Sequence, residues 1–204
     1  MAFLDYAPKV TRNLIIVNIL VFIMTKLRPD LMYGAFTLYY PLSHNFHWWQ
    51  LLTYMYMHGN LAHIFFNMYT LLIFGCAVEN IIGSKKFFVF YTVCGLVAAG
   101  LNIGIDALTF NYAPMVGASG AIYGVLIAYA FLFPRSQMTL LFPPVTLNAK
   151  TMVLIFVGIE LLTGVFMSNS GIAHFAHLGG MLAGFLLMLV WKRTDRLFDR
   201  DIWI

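Results

Sequence analysis

Residues 117–133 read GASGAIYGVLIAYAFLF. The stretch carries no charged side chain, and its apolar residues cover every face of a helix. A helix that is apolar all round belongs inside a large core or a bilayer. Gly120 and Gly124 stand four apart, so they share one face and let a neighbouring backbone come close. Ser119 stands at the head of this helix, just past Pro114. A hydroxyl thus stands at the head of an apolar helix, above a glycine face.

The surroundings choose the bilayer over a core. Of 204 residues, 61% are hydrophobic and 10% charged, against roughly 25% charged in a soluble domain. A hydrocarbon layer needs roughly 20 helical residues to cross. Six stretches qualify: 10–26, 58–79, 86–105, 117–134, 151–168 and 173–192. Thr11 can cap the first and Ser84 the third, while Pro114 precedes the fourth and Pro143 and Pro144 the fifth. The expected fold is an all-α membrane bundle of six spans, one domain over 1–204. The N-terminus lacks the order of a cleaved leader, so the first span is read as retained. Cys76 and Cys94 fall inside apolar runs and read as buried, inert thiols.

Basic residues orient the bundle. With the N-terminus inside, Lys9, Arg12, Lys85, Lys86, Arg135, Lys150, Lys192, Arg193, Arg196 and Arg200 face the cytoplasm, and only Lys26 and Arg28 lie outside. Both termini are therefore expected in the cytoplasm, which for a bacterial chain means the inner (plasma) membrane. Spans two, four and six then enter from the outside. The long outer loop over 27–57 holds Tyr39, Tyr40, Trp48, Trp49, Tyr54 and Tyr56, and is expected to lie at headgroup level. The positive charge is accounted for by the membrane, and no nucleic-acid partner is expected.

Polar side chains inside a bilayer need a reason. Three clusters stand near the outer ends of the even-numbered spans: His63-Ile-Phe-Phe-Asn67, Gly117-Ala-Ser119-Gly120 and His174-Phe-Ala-His177. At about 1.5 Å per residue they share one depth. Amides of a first helical turn lack intrahelical acceptors and sit at the positive end of the dipole, so an oxyanion beside Ser119 would find donors. His63 and Asn67 lie on one face and both can donate. Gly180 and Gly184 lie below His177 on nearly its own face, matching Gly120 and Gly124 below Ser119. Close approach of these faces brings His177 to Ser119 as its base, with Tyr123 packing on the imidazole. Taken singly, each cluster has a plainer reading: a packing motif, an interhelical hydrogen bond, or a metal pair at His174 and His177. Between the two histidines, the glycine face selects His177, and His174 is expected at the bundle's edge.

With these residues in place, the chain resembles the rhomboid intramembrane serine proteases from about Trp48 to Trp191. The resemblance rests on His58, His63-x-x-x-Asn67, Gly75-Cys-Ala-Val-Glu79, Gly83-Ser84, Gly117-Ala-Ser119-Gly120-Ala-Ile-Tyr123-Gly124 and Ala176-His177-Leu-Gly-Gly180. It implies a six-helix core with Ser119 as nucleophile and His177 as base. It implies oxyanion donors at His63, Asn67 and the Ser119 amide, and an aromatic support at Tyr123. It also implies hydrolysis, without cofactor or metal, of peptide bonds in or beside transmembrane segments, with small residues favoured before the cut. The alternative is an inactive relative that binds transmembrane helices as an adaptor or quality-control factor. Such relatives lack the serine or the histidine, and this chain keeps both.

Two features stand outside the family pattern. Many members carry Trp-Arg in the first outer loop, where Trp49 is here followed by Gln50. Glu160 lies in the middle of span five, where a carboxyl serves either a hydrogen bond within the bundle or a gating or proton role. No acidic residue is tied by sequence to His177, so a serine–histidine dyad is expected. A transporter would show repeated halves and a metalloprotease a His-Glu-x-x-His motif, and neither is present.

Overall fold

A computed structural model describes residues 7–139, 144–166 and 173–194, with the backbone alone for 193–194. The described residues are mostly helical: α1 Lys9–Leu27, α2 Pro29–Phe36, α3 Gln50–Thr53, α4 Leu61–Thr70, α5 Cys76–Ile82, α6 Ser84–Thr109, α7 Ser119–Leu132, α8 Ala149–Phe166 and α9 His174–Thr194. A π-helical turn at Leu71–Gly75 joins α4 to α5, so Leu61–Ile82 runs as one span. Strands β1 Gln137–Thr139 and β2 Thr146–Asn148 pair antiparallel, with Met138 opposite Leu147.

Among the described residues, five helices are long and apolar enough to cross a membrane: Lys9–Leu27, Leu61–Ile82, Ser84–Thr109, Ala149–Phe166 and His174–Lys192. Their outward faces stay apolar and exposed, as at Leu20, Phe65, Phe88, Leu162 and Leu186. Large exposed apolar faces on several helices suit lipid and not water. The protein is an integral membrane protein.

The fourth expected span is the exception. α7 has 14 residues, about 21 Å at 1.5 Å each, against about 30 Å of hydrocarbon. Its late start has a physical cause. Phe110 takes a left-handed conformation and closes α6 (φ 56°). Leu38 and Met115 then exchange both backbone hydrogen bonds, at 3.0 and 2.9 Å, and the Gly117 amide donates to the Tyr54 carbonyl at 2.9 Å. With the Met115 and Gly117 amides bonded to Leu38 and Tyr54, no helix forms before Ser119.

Glycine sets the spacing around α7. A Cβ on Gly180 would collide with the backbone carbonyl of Gly120, and one on Gly184 would lie 2.8 Å from that of Gly124. On the other flank, a Cβ on Gly120 would meet the Ala98 methyl at 2.6 Å. α7 is thus held between α6 and α9 with backbones nearly touching, as the paired glycines predict.

Two expected caps are replaced. Pro8, not Thr11, precedes α1, and Gly83, not Ser84, precedes α6. Both helix starts answer to the buried Glu79: it accepts from the Val10 and Thr11 amides at 2.9 and 2.7 Å and from the Ser84 hydroxyl at 2.6 Å. A carboxylate satisfies two orphan amides where one hydroxyl satisfies one. Pro143, the end of the fifth span at 167–168, Arg196 and Arg200 lie outside the described residues.

The segment between α2 and α3 is tied down by side-chain hydrogen bonds. Gln50 is fully buried. Its side-chain oxygen accepts from the His47 amide at 3.1 Å, and its amide donates to the Asn45 carbonyl at 2.9 Å. The Trp49 indole donates to the Ala35 carbonyl at 2.8 Å. A neutral amide here anchors the loop through donor and acceptor together, so the arginine seen in other members is not needed for anchoring.

Candidate active site

Ser119 opens α7 and His177 lies one turn into α9. Because Gly120 and Gly180 leave no side chain between the helices, Ser119 Oγ comes within 2.8 Å of His177 Nε2. The Tyr123 ring lies over the imidazole, centroids 4.3 Å apart and planes 18° from parallel. Both contacts follow the expectation from sequence.

In front of Ser119 lies a cavity of about 490 Å³, whose walls include His63, Asn67, Gly117, Ser119, Tyr123 and His177. His63 is drawn in beside the serine by Gly117. That glycine has φ +128°, which L side chains rarely adopt, and a Cβ on it would lie 2.8 Å from His63 Nε2. Asn60 caps α4 by accepting from the His63 amide at 2.8 Å, which fixes where His63 enters. Asn67 is held from behind, its Nδ2 lying 3.0 Å from Nε2 of the fully buried His58. Burial, reinforced by the nearby His63, pushes His58 down to about 4. It is therefore neutral near neutral pH, and its Nε2 accepts from the asparagine amide. Sequence placed His58 in the motif without a task, and its position behind Asn67 supplies one.

All the sequence-predicted site residues thus meet around one cavity or one helix contact. Two expectations about α8 and α9 need correction. His174 is not at the bundle's edge: it is buried, and its Nδ1 lies 2.6 Å from Glu160 Oε2 and 3.1 Å from Thr163 Oγ1. Nor is His177 without a carboxylate. Glu160 Oε1 accepts from the Tyr123 hydroxyl at 2.5 Å and stands 3.0 Å from His177 Nδ1. That last approach is within ion-pair distance but off-line for a formed hydrogen bond, and Nδ1 is otherwise buried without a hydrogen-bond partner. The cause in both cases is the rotation of α8, which turns Glu160 inward between α7 and α9. The lone mid-span carboxylate was the available signal, and helix rotation decided its partner.

Donor atoms of Glu160, His174 and His177 all fall within 4.8 Å of one another, a set that could hold a cation. Two ligands at roughly 2.0–2.2 Å from a tetrahedral zinc ion would stand more than about 3 Å apart. The 2.6 Å approach of His174 to Glu160 is a direct hydrogen bond, so the set as spaced is a hydrogen-bonded cluster.

The family model described as Rhomboid domain matches residues 45–194. The chain belongs to the rhomboid family. The match takes in every residue of the Ser119 cavity and Glu160 with it. Rhomboid relatives include the rhomboid protease GluP of Bacillus subtilis (strain 168), 33% identical over 138 residues, covering 68% of this chain and 25% of that protein. The putative rhomboid protease YdcA of the same organism is 31% identical over 167 residues, covering 74% and 72%. The mitochondrial presenilin-associated rhomboid-like protein of Bos taurus is 30% identical over 146 residues, covering 69% and 38%. The aligned part of this rhomboid chain thus spans only a quarter to two fifths of GluP and of the presenilin-associated protein.

Proposed function

We propose that the protein is an intramembrane serine endopeptidase that cleaves transmembrane segments of other membrane proteins. One observation carries this reading: Ser119 Oγ and His177 Nε2 lie 2.8 Å apart in the lining of a cavity that His63 and Asn67 also line. In the first step Ser119 Oγ bonds to the scissile carbonyl carbon while its proton passes to His177 Nε2. The carbonyl π pair moves to oxygen, where the side chains of His63 and Asn67 and the amide of Ser119 donate to it. Collapse expels the amine, which takes the proton from His177. Water then releases the acyl group by the same steps in reverse order of roles. Tyr123 keeps the imidazole in plane throughout. The chemistry uses no cofactor and no metal.

The substrate reading follows from the setting. The cavity opens beside helices whose outer faces are lipid-facing, so a transmembrane segment is the peptide within reach. The relatives named as rhomboid proteases support the same class. In this reading α7 acts as a short sixth span whose head is sunk below the outer surface. Both termini lie in the cytoplasm, and the cavity opens outward. The test is a cleavage assay in detergent or liposomes, using a single-span membrane protein with alanine and glycine near the outer end of its span. The wild type should cut and Ser119→Ala should not. An uncut substrate with the wild type as well would favour an adaptor that binds helices without hydrolysis.

A further inference from the structure

We infer that Glu160 is a positioning residue for His177, a carboxylate held beside the serine–histidine pair by Tyr123 and His174. The inference rests on the protease reading above. Three polar groups from two neighbouring helices gather around one carboxylate, two of them hydrogen-bonded to it and the third, His177 Nδ1, within ion-pair distance. The Tyr123 hydroxyl on α7 donates to Oε1 at 2.5 Å. On α9, His174 Nδ1 lies 2.6 Å from Oε2, and His177 Nδ1 lies 3.0 Å from Oε1. Thr163, on Glu160's own helix, donates its hydroxyl to the Ile159 carbonyl at 2.7 Å and places its oxygen, as a second acceptor, 3.1 Å from the same His174 nitrogen. An ionised carboxylate offers acceptors only, so it can serve all three.

The arrangement has a consequence for the tautomer. Facing a carboxylate, neutral His177 carries its proton on Nδ1 and leaves Nε2 free to accept from Ser119. When Ser119 Oγ attacks, its proton moves to Nε2 and an imidazolium forms 3.0 Å from Glu160 Oε1. The carboxylate then stabilises that cation without taking the proton itself. The 3.0 Å separation suits this ion pair, and off-line geometry before substrate arrives is common for catalytic contacts. The Tyr123 hydroxyl and His174 hold Glu160 from two sides, so the carboxylate cannot swing away from His177. The same tyrosine therefore orients the base twice, by its ring and through Glu160.

Glu160→Gln tests this in the purified 204-residue chain. The amide is isosteric, yet its Nε2 side would donate toward a histidine Nδ1 and favour the wrong tautomer. Turnover of the single-span substrate is expected to fall by about 100-fold or more with KM little changed, as loss of a triad carboxylate does elsewhere. Labelling by a fluorophosphonate should slow in parallel. Turnover and labelling within about tenfold of wild type overturn the inference. Should the variant not fold, nitrogen NMR of the wild-type histidines decides: Nδ1–H on neutral His177 is expected, and Nε2–H overturns it. Ser119→Ala run alongside separates the two levels. If Ser119→Ala still cuts, the protease reading fails. If it is silent while Glu160→Gln cuts normally, only the role of Glu160 fails.

Discussion

Gly180 faces the Gly120 carbonyl so closely that a single methyl on Gly180 would strike the α7 backbone. Backbone cannot move aside as a side-chain tip can, so α7 and α9 would have to part. Overpacking of this kind costs about 1–3 kcal/mol, and more where nothing yields. Gly180→Ala should therefore lower the thermal midpoint in detergent and abolish cleavage, by lengthening the Ser119–His177 contact. A methyl added to Gly158 in α8 would meet nothing within 4 Å. Gly158→Ala should be neutral or stabilising by about 0.5–1 kcal/mol, as for a glycine in open helix. Equal loss in the two variants would show that helix proximity is not what Gly180 provides.

How far the sequence reaches is visible at these same residues. The five long helices were legible as spans because apolar runs have the length of a bilayer, and the pairing of Gly120 and Gly124 with Gly180 and Gly184 because four-residue spacing marks a face. The meeting of His63, Asn67, Ser119 and His177 was legible from shared depth. The partner of Glu160 was not, since depth says nothing of rotation about a helix axis. The head of α7 at Ser119 was legible, but the backbone hydrogen bonds that Leu38 and Tyr54 accept from residues 115 and 117 were not. The helix α2 and the π-helical turn at Leu71–Gly75 have no hydropathy signature of their own.

His63 and Asn67 should act on the transition state more than on binding. Loss of one oxyanion donor typically costs about 100- to 1000-fold in rate. His63→Ala and Asn67→Ala are each expected to lower kcat with little change in KM, the effect being smaller where one donor covers for the other. Steady-state kinetics on the single-span substrate measure both. Unchanged kcat in the two single variants and in the double variant would remove both residues from the oxyanion site.

His58 gives stability a pH dependence of known sign. Its folded value of about 4 lies below the ordinary 6.5, so between these values the unfolded chain binds more protons. Stability from this group is full above about pH 6.5 and is lost as pH falls toward 4, to a maximum of about 3 kcal/mol. Thermal midpoints from pH 7 to pH 4 should fall less steeply for His58→Gln than for the wild type. Parallel curves would mean that His58 titrates alike in both states.

The orientation can be read with thiols. In a chain lacking Cys76 and Cys94, a cysteine at the exposed Thr109 position should react with an impermeant reagent from outside. One at the exposed Gln137 position, in β1, should react only after permeabilisation. The opposite pattern would invert the topology and put the cavity on the cytoplasmic side.

The most direct test of a serine nucleophile is where a fluorophosphonate attaches. Peptide mapping by mass spectrometry should find the adduct on Ser119 in the wild type. Labelling should be absent from Ser119→Ala, lost from His177→Ala, and unaffected by chelators. An adduct on another serine, or equal labelling of wild type and Ser119→Ala, would contradict the assignment of Ser119 and His177 as the reacting pair.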